Sequence, residues 1–168
     1  GEVGTFVFTS STSVYPQTGR RLVDETASSE GVSEKGGLLL AAEQLGFPGG
    51  QGIGRSFILR LSGLYGPGRH LFLDSVRNGE NLTGDGDRIL NLIHRDDACS
   101  AILAVLQAEK RNIGRIYNVS DGNHSSRAEI VAWLAEKLGV DALSFSGSEG
   151  SDASNRKISS DRIRDELN

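Results

Sequence analysis

Residues 5–15 read Thr-Phe-Val-Phe-Thr-Ser-Ser-Thr-Ser-Val-Tyr. Three apolar residues, Phe6-Val7-Phe8, break abruptly into five consecutive hydroxyl residues, Thr9 to Ser13, followed by Val14 and Tyr15. β-Formers that end in a hydroxyl cluster describe a buried strand delivering its carboxyl end to a site. In open α/β sheets ligands gather at those carboxyl ends. A Ser/Thr-rich run also makes an ordinary turn, because these side chains cap turns and helices. Residues further along the chain decide between the two readings.

Working outward, a polar loop spans 16–34 and holds Val23-Asp24-Glu25. Leu38, Leu39, Ala41, Ala42 and Leu45 recur near helical spacing and predict a helix over 34–46, with Gly46 as its stop. Gly49-Gly50-Gln-Gly52-Ile-Gly54 reads as a flexible connection. Phe57-Ile58-Leu59-Arg60-Leu61 is a second apolar strand, running into Ser62-Gly63-Leu64-Tyr65-Gly66-Pro67-Gly68-Arg69. A helix at about 70–78 and a turn-rich stretch, Thr83 to Asp87, come next. Leu90 to Ile93 forms a short extended segment before His94-Arg95-Asp96-Asp97. Asp96 suits the N-cap of a helix through about Ala108 whose Cys99, Ile102, Leu103 and Leu106 share one face. Arg115–Val119 is a third strand. Ser126-Arg-Ala-Glu129 has capping-box spacing, and Ile130, Trp133, Leu134 and Leu138 line the helix that ends at Gly139. Residues 144–155, rich in Ser, Gly and Asp, read as loop or local disorder, and a helical pattern returns from Ile163 to the end. Strands that alternate with helices, without strict two-residue alternation, indicate a mainly parallel sheet covered on both faces. The class is α/β.

Composition narrows the function classes. A length of 168 residues suits one domain, and a net charge of −4 leaves no basic footprint for nucleic acid or an anionic membrane. The single cysteine, Cys99, excludes an internal disulfide and a cysteine-based zinc cluster, and its helical pattern reads as that of a small core residue. No metal site is expected. No stretch approaches membrane-spanning length and no signal pattern opens the chain, so the reducing cytoplasm is the default compartment. The chain contains no methionine and opens on Gly-Glu-Val-Gly almost inside a strand, which leads to the expectation of a piece cut from a longer protein.

Three landmarks stand in order: Thr9-Ser-Ser-Thr-Ser-Val-Tyr15, Leu59-Arg-Leu-Ser-Gly-Leu-Tyr-Gly-Pro-Gly68 and Ile93-His-Arg-Asp-Asp97. In this order and spacing they resemble the extended short-chain dehydrogenase/reductases, the NAD-dependent epimerase/dehydratase family. Ile116-Tyr-Asn-Val119 matches the strand after that family's long helix, so the resemblance covers about residues 5–140. It implies part of a Rossmann-like doubly wound, mainly parallel sheet with a small C-terminal substrate-binding region. It also implies that residues 1–168 are the C-terminal portion, since no glycine turn of dinucleotide-binding type follows a strand here. Gly63-x-x-Gly66-x-Gly68 does follow a strand, but Pro67 removes an amide donor and no phosphate-loop Lys-Ser/Thr accompanies it.

The family's chemistry uses a Ser/Thr, a Tyr and a Lys in general acid–base roles beside a nicotinamide. The resemblance places Ser11 at the catalytic Ser/Thr position. Counting back from Ala42-Glu43 puts Lys35 where the catalytic Tyr stands and Leu39 where the Lys stands, so the dyad is missing, as in atypical members. A substitute acid–base role for Lys35 rests on its placement alone. On the same resemblance Ser13, Tyr15, Tyr65 and Arg69 bind substrate, while Thr9, Ser10, Leu61, Ser62 and Gly63 lie beside the cofactor. His94 and Asp97 are expected to tie a strand end to a helix start. Ser62 and Gly63 stand where many sugar-nucleotide members carry Asn, and Leu90 and Asn91 where they often carry Arg, which argues against that substrate class.

The implied function is an NAD- or NADP-dependent oxidoreductase or epimerase-like enzyme acting on a small hydroxy or carbonyl compound, sugar-like or otherwise. The alternative is a non-catalytic, dinucleotide-sensing or scaffold protein on the same fold. The cofactor belongs to the longer parent, and residues 1–168 alone are expected to bind it poorly. The implied partners are a small-molecule substrate and a second copy through helix 34–46, whose start Gly36-Gly37 weakens.

Overall fold

The computed structural model describes residues 3–46, 52–108, 114–147 and 154–167. In chain order the elements are β1 (Val3–Ser11), β2 (Arg21–Val23), α1 (Glu34–Gly46), β3 (Ile53–Leu61), β4 (Gly63–Tyr65), α2 (Leu73–Asn78) and β5 (Leu82–Thr83). There follow β6 (Leu92–His94), α3 (Arg95–Gln107), β7 (Arg115–Val119), α4 (Arg127–Leu138), β8 (Phe145–Ser146), β9 (Arg156–Ile158) and α5 (Asp161–Leu167). One three-stranded parallel sheet, ordered β1-β3-β7, carries the hydroxyl run. Among the described residues three short parallel pairs surround it: β2 with β9, β4 with β6, and β5 with β8. The expected mainly parallel α/β architecture is present.

The sheet is parallel because each connection between its strands passes through a helix. Phe57, Ile58 and Leu59 are fully buried, as a strand covered on both faces requires. Phe57 and Leu59 join Ile93, Ala98, Val105, Tyr117 and Val119 in the central cluster. A second cluster, Val14, Tyr15, Val23 and Ile158, closes over the end of β1. A third, Val76, Leu82, Val131 and Ala135, holds α2 against α4. Gly54 is required where β3 meets β1, because a Cβ there would lie 2.8 Å from the Gly4 carbonyl oxygen.

Several local expectations are met closely. β7 spans Arg115–Val119, and α4 has the full capping box of Ser126 and Glu129 with Gly139 left-handed at φ 67° beyond its end. Others need correction. His94, not Asp96, caps α3: its Nδ1 accepts the Asp96 amide, and Asp96 lies in the first turn. α3 turns Ala98 and Val105 inward, leaving Cys99, Leu103 and Leu106 exposed, so Cys99 is not a core residue. Small Ala98 lets the helix sit close on the sheet, which selects that face over the bulkier leucine face. On α4 Val131 and Ala135 are buried while Trp133 is 58% exposed. α2 starts at Leu73 rather than near 70, after Phe72 in a left-handed conformation. The polar loop 16–34 contains β2, and within 144–155 Phe145–Ser146 pairs as β8. Residues 148–153 of that loop, and 49–51 of the glycine-rich connection, lie outside the described residues. Among the described residues no helix is long and apolar enough to cross a membrane.

Candidate functional site

The parallel register brings three strand ends to one level, with Ser11 opposite Leu61 and Leu61 opposite Val119. β1 stops because Ser11, still extended at φ −137°, caps a single 3-10 turn over Thr12–Val14. Its Oγ accepts the Ser13 amide at 3.1 Å. That bond fills an acceptor position and leaves the Ser11 hydroxyl proton free to donate. Ser13 and Thr9 are exposed, while Ser10 is buried and donates to Glu43 Oε1 at 2.6 Å.

Tyr15 points inward and is 1% exposed. Its hydroxyl donates to Asn118 Oδ1 at 2.8 Å and accepts from Arg60 Nη1 at 2.7 Å. Arg60 in turn donates to Glu43 through Nε and Nη2, the latter at 2.6 Å, with both side chains about 5% exposed. The Arg60 guanidinium also lies over the Tyr15 ring, 5.0 Å from its centre. Burial pushes the Tyr15 hydroxyl above its ordinary pKa, against the opposing pull of Arg60. For Arg60, burial works downward, and the Glu43 and Tyr15 bonds overcome it and raise the guanidinium. A second carboxylate, Glu25, accepts the Asn118 amide at 2.7 Å and is bridged by Arg162. Glu43, Arg60 and Asn118 were not picked out from the sequence. The available signal was Arg60 itself, since a charge inside a strand covered on both faces demands a buried partner.

Beyond β3, Ser62 is buried and its amide donates to the Val119 carbonyl at 3.0 Å. Its Oγ has no hydrogen-bond partner among the described residues. Leu61 is half-buried against the central cluster. Gly63 is exposed and bonds the Asn91 carbonyl, leaving little room for a side chain beside Leu92. The turn after β4 is closed by reciprocal backbone bonds between Gly66 and Arg69.

That turn, β6 and α4 enclose a cavity of about 940 Å³. Tyr65 and Arg69 line it together, with His94, Asp121 and Trp133. Ser11, Ser13 and Tyr15 are not among its lining residues. Tyr65 meets the His94 ring edge-on at 5.3 Å. Burial, then the carboxylates of Asp121 and Asp97, raise the Tyr65 hydroxyl above its ordinary pKa, so it stays protonated. Asp121 is itself raised by burial, with the Asn123 amide pulling the other way. Lys35 is exposed at the start of α1, whereas Leu39 packs against the cluster around Tyr15.

Aligned carboxyl ends of parallel strands, with a cavity beyond them and helices between, define a Rossmann-like protein of the short-chain dehydrogenase/reductase class. The model of the NAD dependent epimerase/dehydratase family matches residues 2–120, and the chain belongs to that family. Protein YeeZ of Escherichia coli K12 is 35% identical over 167 residues, covering 96% of this chain and 56% of its own length. The chain therefore spans little more than half of this curated relative. Short-chain dehydrogenase/reductase family 42E member 1 of Danio rerio is 35% identical over 112 residues, 60% of this chain and 29% of that protein. Among solved structures, UDP-glucuronic acid 4-epimerase from Bacillus cereus, in complex with UDP-glucuronic acid and NAD, superposes with a TM-score of 0.81. It covers 97% of this chain and 55% of its own at 23% identity, a likeness of fold.

Proposed function

We propose that these residues form the C-terminal, substrate-side portion of an NAD(P)-dependent oxidoreductase or epimerase-like enzyme acting on a small hydroxy or carbonyl compound. The observation that carries the reading is the in-register convergence of Ser11, Leu61 and Val119 at one sheet edge, where ligands of this fold class bind. The residues present fit a nicotinamide dinucleotide. Ser62 offers a buried hydroxyl without a partner among the described residues, Leu61 an apolar flank, and Gly63 a backbone without a side chain. Thr9 is exposed on the same strand as Ser11 and Ser10, and Ser10 contributes through its backbone because Glu43 holds its hydroxyl. When bound, such a cofactor supplies hydride transfer.

Ser11 directs its free hydroxyl proton at the reacting oxygen of the substrate, oriented by the amide of Ser13. Tyr65 and Arg69 hold the substrate at the cavity, and exposed Ser13 contacts it near Ser11. Tyr15 acts at one remove, fixing the turn after Ser11 through Arg60 and Asn118. Calorimetric titration of NADH and NADPH into the protein extended to the length of its relatives tests the reading. Binding is expected there, and weaker binding to the 168-residue chain alone. No binding of either nucleotide by the long form refutes it.

A non-catalytic, dinucleotide-sensing or scaffold role on the same fold draws support from one observation. Leu39, which the resemblance sets at the position of the catalytic Lys, is half-buried against the cluster around Tyr15. Turnover of a carbonyl substrate that is lost in Ser11→Ala excludes this second reading. The exposed Leu38 and Leu45 on α1 support a homodimer through that helix.

A further inference from the structure

Arg156 opens β9 and is only 9% exposed. Its Nη2 donates to the Thr12 carbonyl at 2.6 Å, one residue beyond Ser11. Its Nε has no hydrogen-bond partner among the described residues. The contrast with Arg60 is direct, because that guanidinium has the Glu43 carboxylate and the Tyr15 hydroxyl around it. Burial, then the like charge of Arg88, lower the Arg156 guanidinium to about 10. A desolvated cation with no counter-charge among the described residues is unfavourable, and an arriving anion would relieve that cost. The planar fork of a guanidinium matches an oxoanion through paired N–H bonds.

We propose that Arg156 is an anion-binding residue of the site, pairing with a carboxylate or phosphate oxygen on the ligand that reacts beside Ser11. The position of the reacting group rests on the proposed function above; the anion site itself does not. It adds to the substrate class: a hydroxy or carbonyl compound that also carries a carboxylate or a phosphoryl group.

The test is thermal unfolding of the 168-residue chain at fixed ionic strength with gluconate, with inorganic phosphate, or with uncharged sorbitol. At a hundredfold excess over Kd, an anion that occupies the site raises the midpoint by about 5–10 °C over sorbitol. Arg156→Met abolishes the rise and Arg156→Lys keeps part of it. A rise with gluconate alone assigns a carboxylate, and a rise with phosphate alone a phosphoryl group. No rise with either anion, or an equal rise in Arg156→Met, overturns the proposal. Should Arg156→Met fail to fold, the Arg156 Nε–H resonance of the unaltered chain is followed during the same titrations. A saturable shift supports the site and an unmoved resonance overturns it. Failure of the longer protein to bind NAD(P)H refutes the proposed function and leaves this result standing.

Discussion

Removing one partner of the Glu43–Arg60 pair is expected to destabilise the chain at least as much as removing both. In Glu43→Leu, Arg60 loses three hydrogen bonds to the carboxylate and keeps only the Tyr15 hydroxyl as a named acceptor. Stranding one member of a buried pair costs about 3–5 kcal/mol, and the surviving bond to Tyr15 places this variant near 3 kcal/mol. Arg60→Met strands Glu43 with Ser10 as its remaining donor, and a similar loss is expected. Against a total stability of roughly 5–15 kcal/mol, either change is severe. At about 2–4 °C per kcal/mol for a chain of this size, each lowers the melting midpoint by roughly 6–12 °C. The double variant, Glu43→Leu with Arg60→Met, removes both buried charges and costs no more than either single change. The coupling energy is then about 3 kcal/mol. Urea titrations followed by far-UV circular dichroism measure all four corners of the cycle; the lone tryptophan is too exposed to report on the core. A single change costing under about 1 kcal/mol, or additive costs in the double variant, refutes the reasoning.

The other predictions concern single positions. His94→Ala frees the Asp96 amide from its cap and is expected to cost about 1 kcal/mol; an unchanged urea midpoint contradicts the assignment. Asp121 and Asp24 should respond to pH with opposite signs. Burial raises Asp121, so its charged form opposes folding: Asp121→Asn stabilises above the folded-state pKa, and the gain fades as pH falls from that pKa to the unfolded value. The Thr26 hydroxyl and amide lower Asp24, whose stabilisation is present above its unfolded pKa and lost as pH falls through the folded one, so Asp24→Asn destabilises near neutrality. Melting midpoints of both variants across pH that move in the same direction defeat this account. Cys99 should react with a thiol reagent in the native chain as readily as in the unfolded one, and protection until denaturant is added contradicts its exposure. Leu39→Lys should cost about 1–2 kcal/mol because Leu39 packs against the cluster around Val14 and Tyr15; equal stability sinks that packing argument.

What was legible in the sequence was local. The apolar runs of β1, β3 and β7 and the Ser126–Glu129 box with Gly139 carry their signals within a few residues of one another. The β2–β9 pairing joins Arg21–Val23 to Arg156–Ile158, strands of three residues each with no local pattern that names the partner. α3 offered two apolar faces, and packing on the sheet chose the one with Ala98 and Val105 over the one with Cys99 and Leu106. The sequence around Ser11 shows only hydroxyl groups, yet charges from α1, β3 and β9 bond to its neighbours. Glu43 and Arg156 look like solvated surface groups one at a time, and only the fold reveals them as buried, whereas Arg60 stands out inside an apolar strand.

Those buried charges meet at the segment that follows β1. Arg60 fixes Tyr15, Asn118 ties Tyr15 to β7, Glu43 draws Ser10 to α1, and Arg156 holds the Thr12 carbonyl. A buried ion pair adds little net stability, and one use of such a group is to disfavour a wrong register. β3 is covered on both faces, so its apolar residues alone tolerate a slip between them poorly distinguished in energy. A one-residue slip would carry Arg60 to the opposite face, among Phe57, Leu59 and Tyr117, with no carboxylate to receive it. The charge therefore opposes that slip in β3, and the observed register has Ser11, Leu61 and Val119 ending together. On this reasoning the polar network serves the site by placing its edge, and the apolar clusters supply the stability that makes the placement affordable.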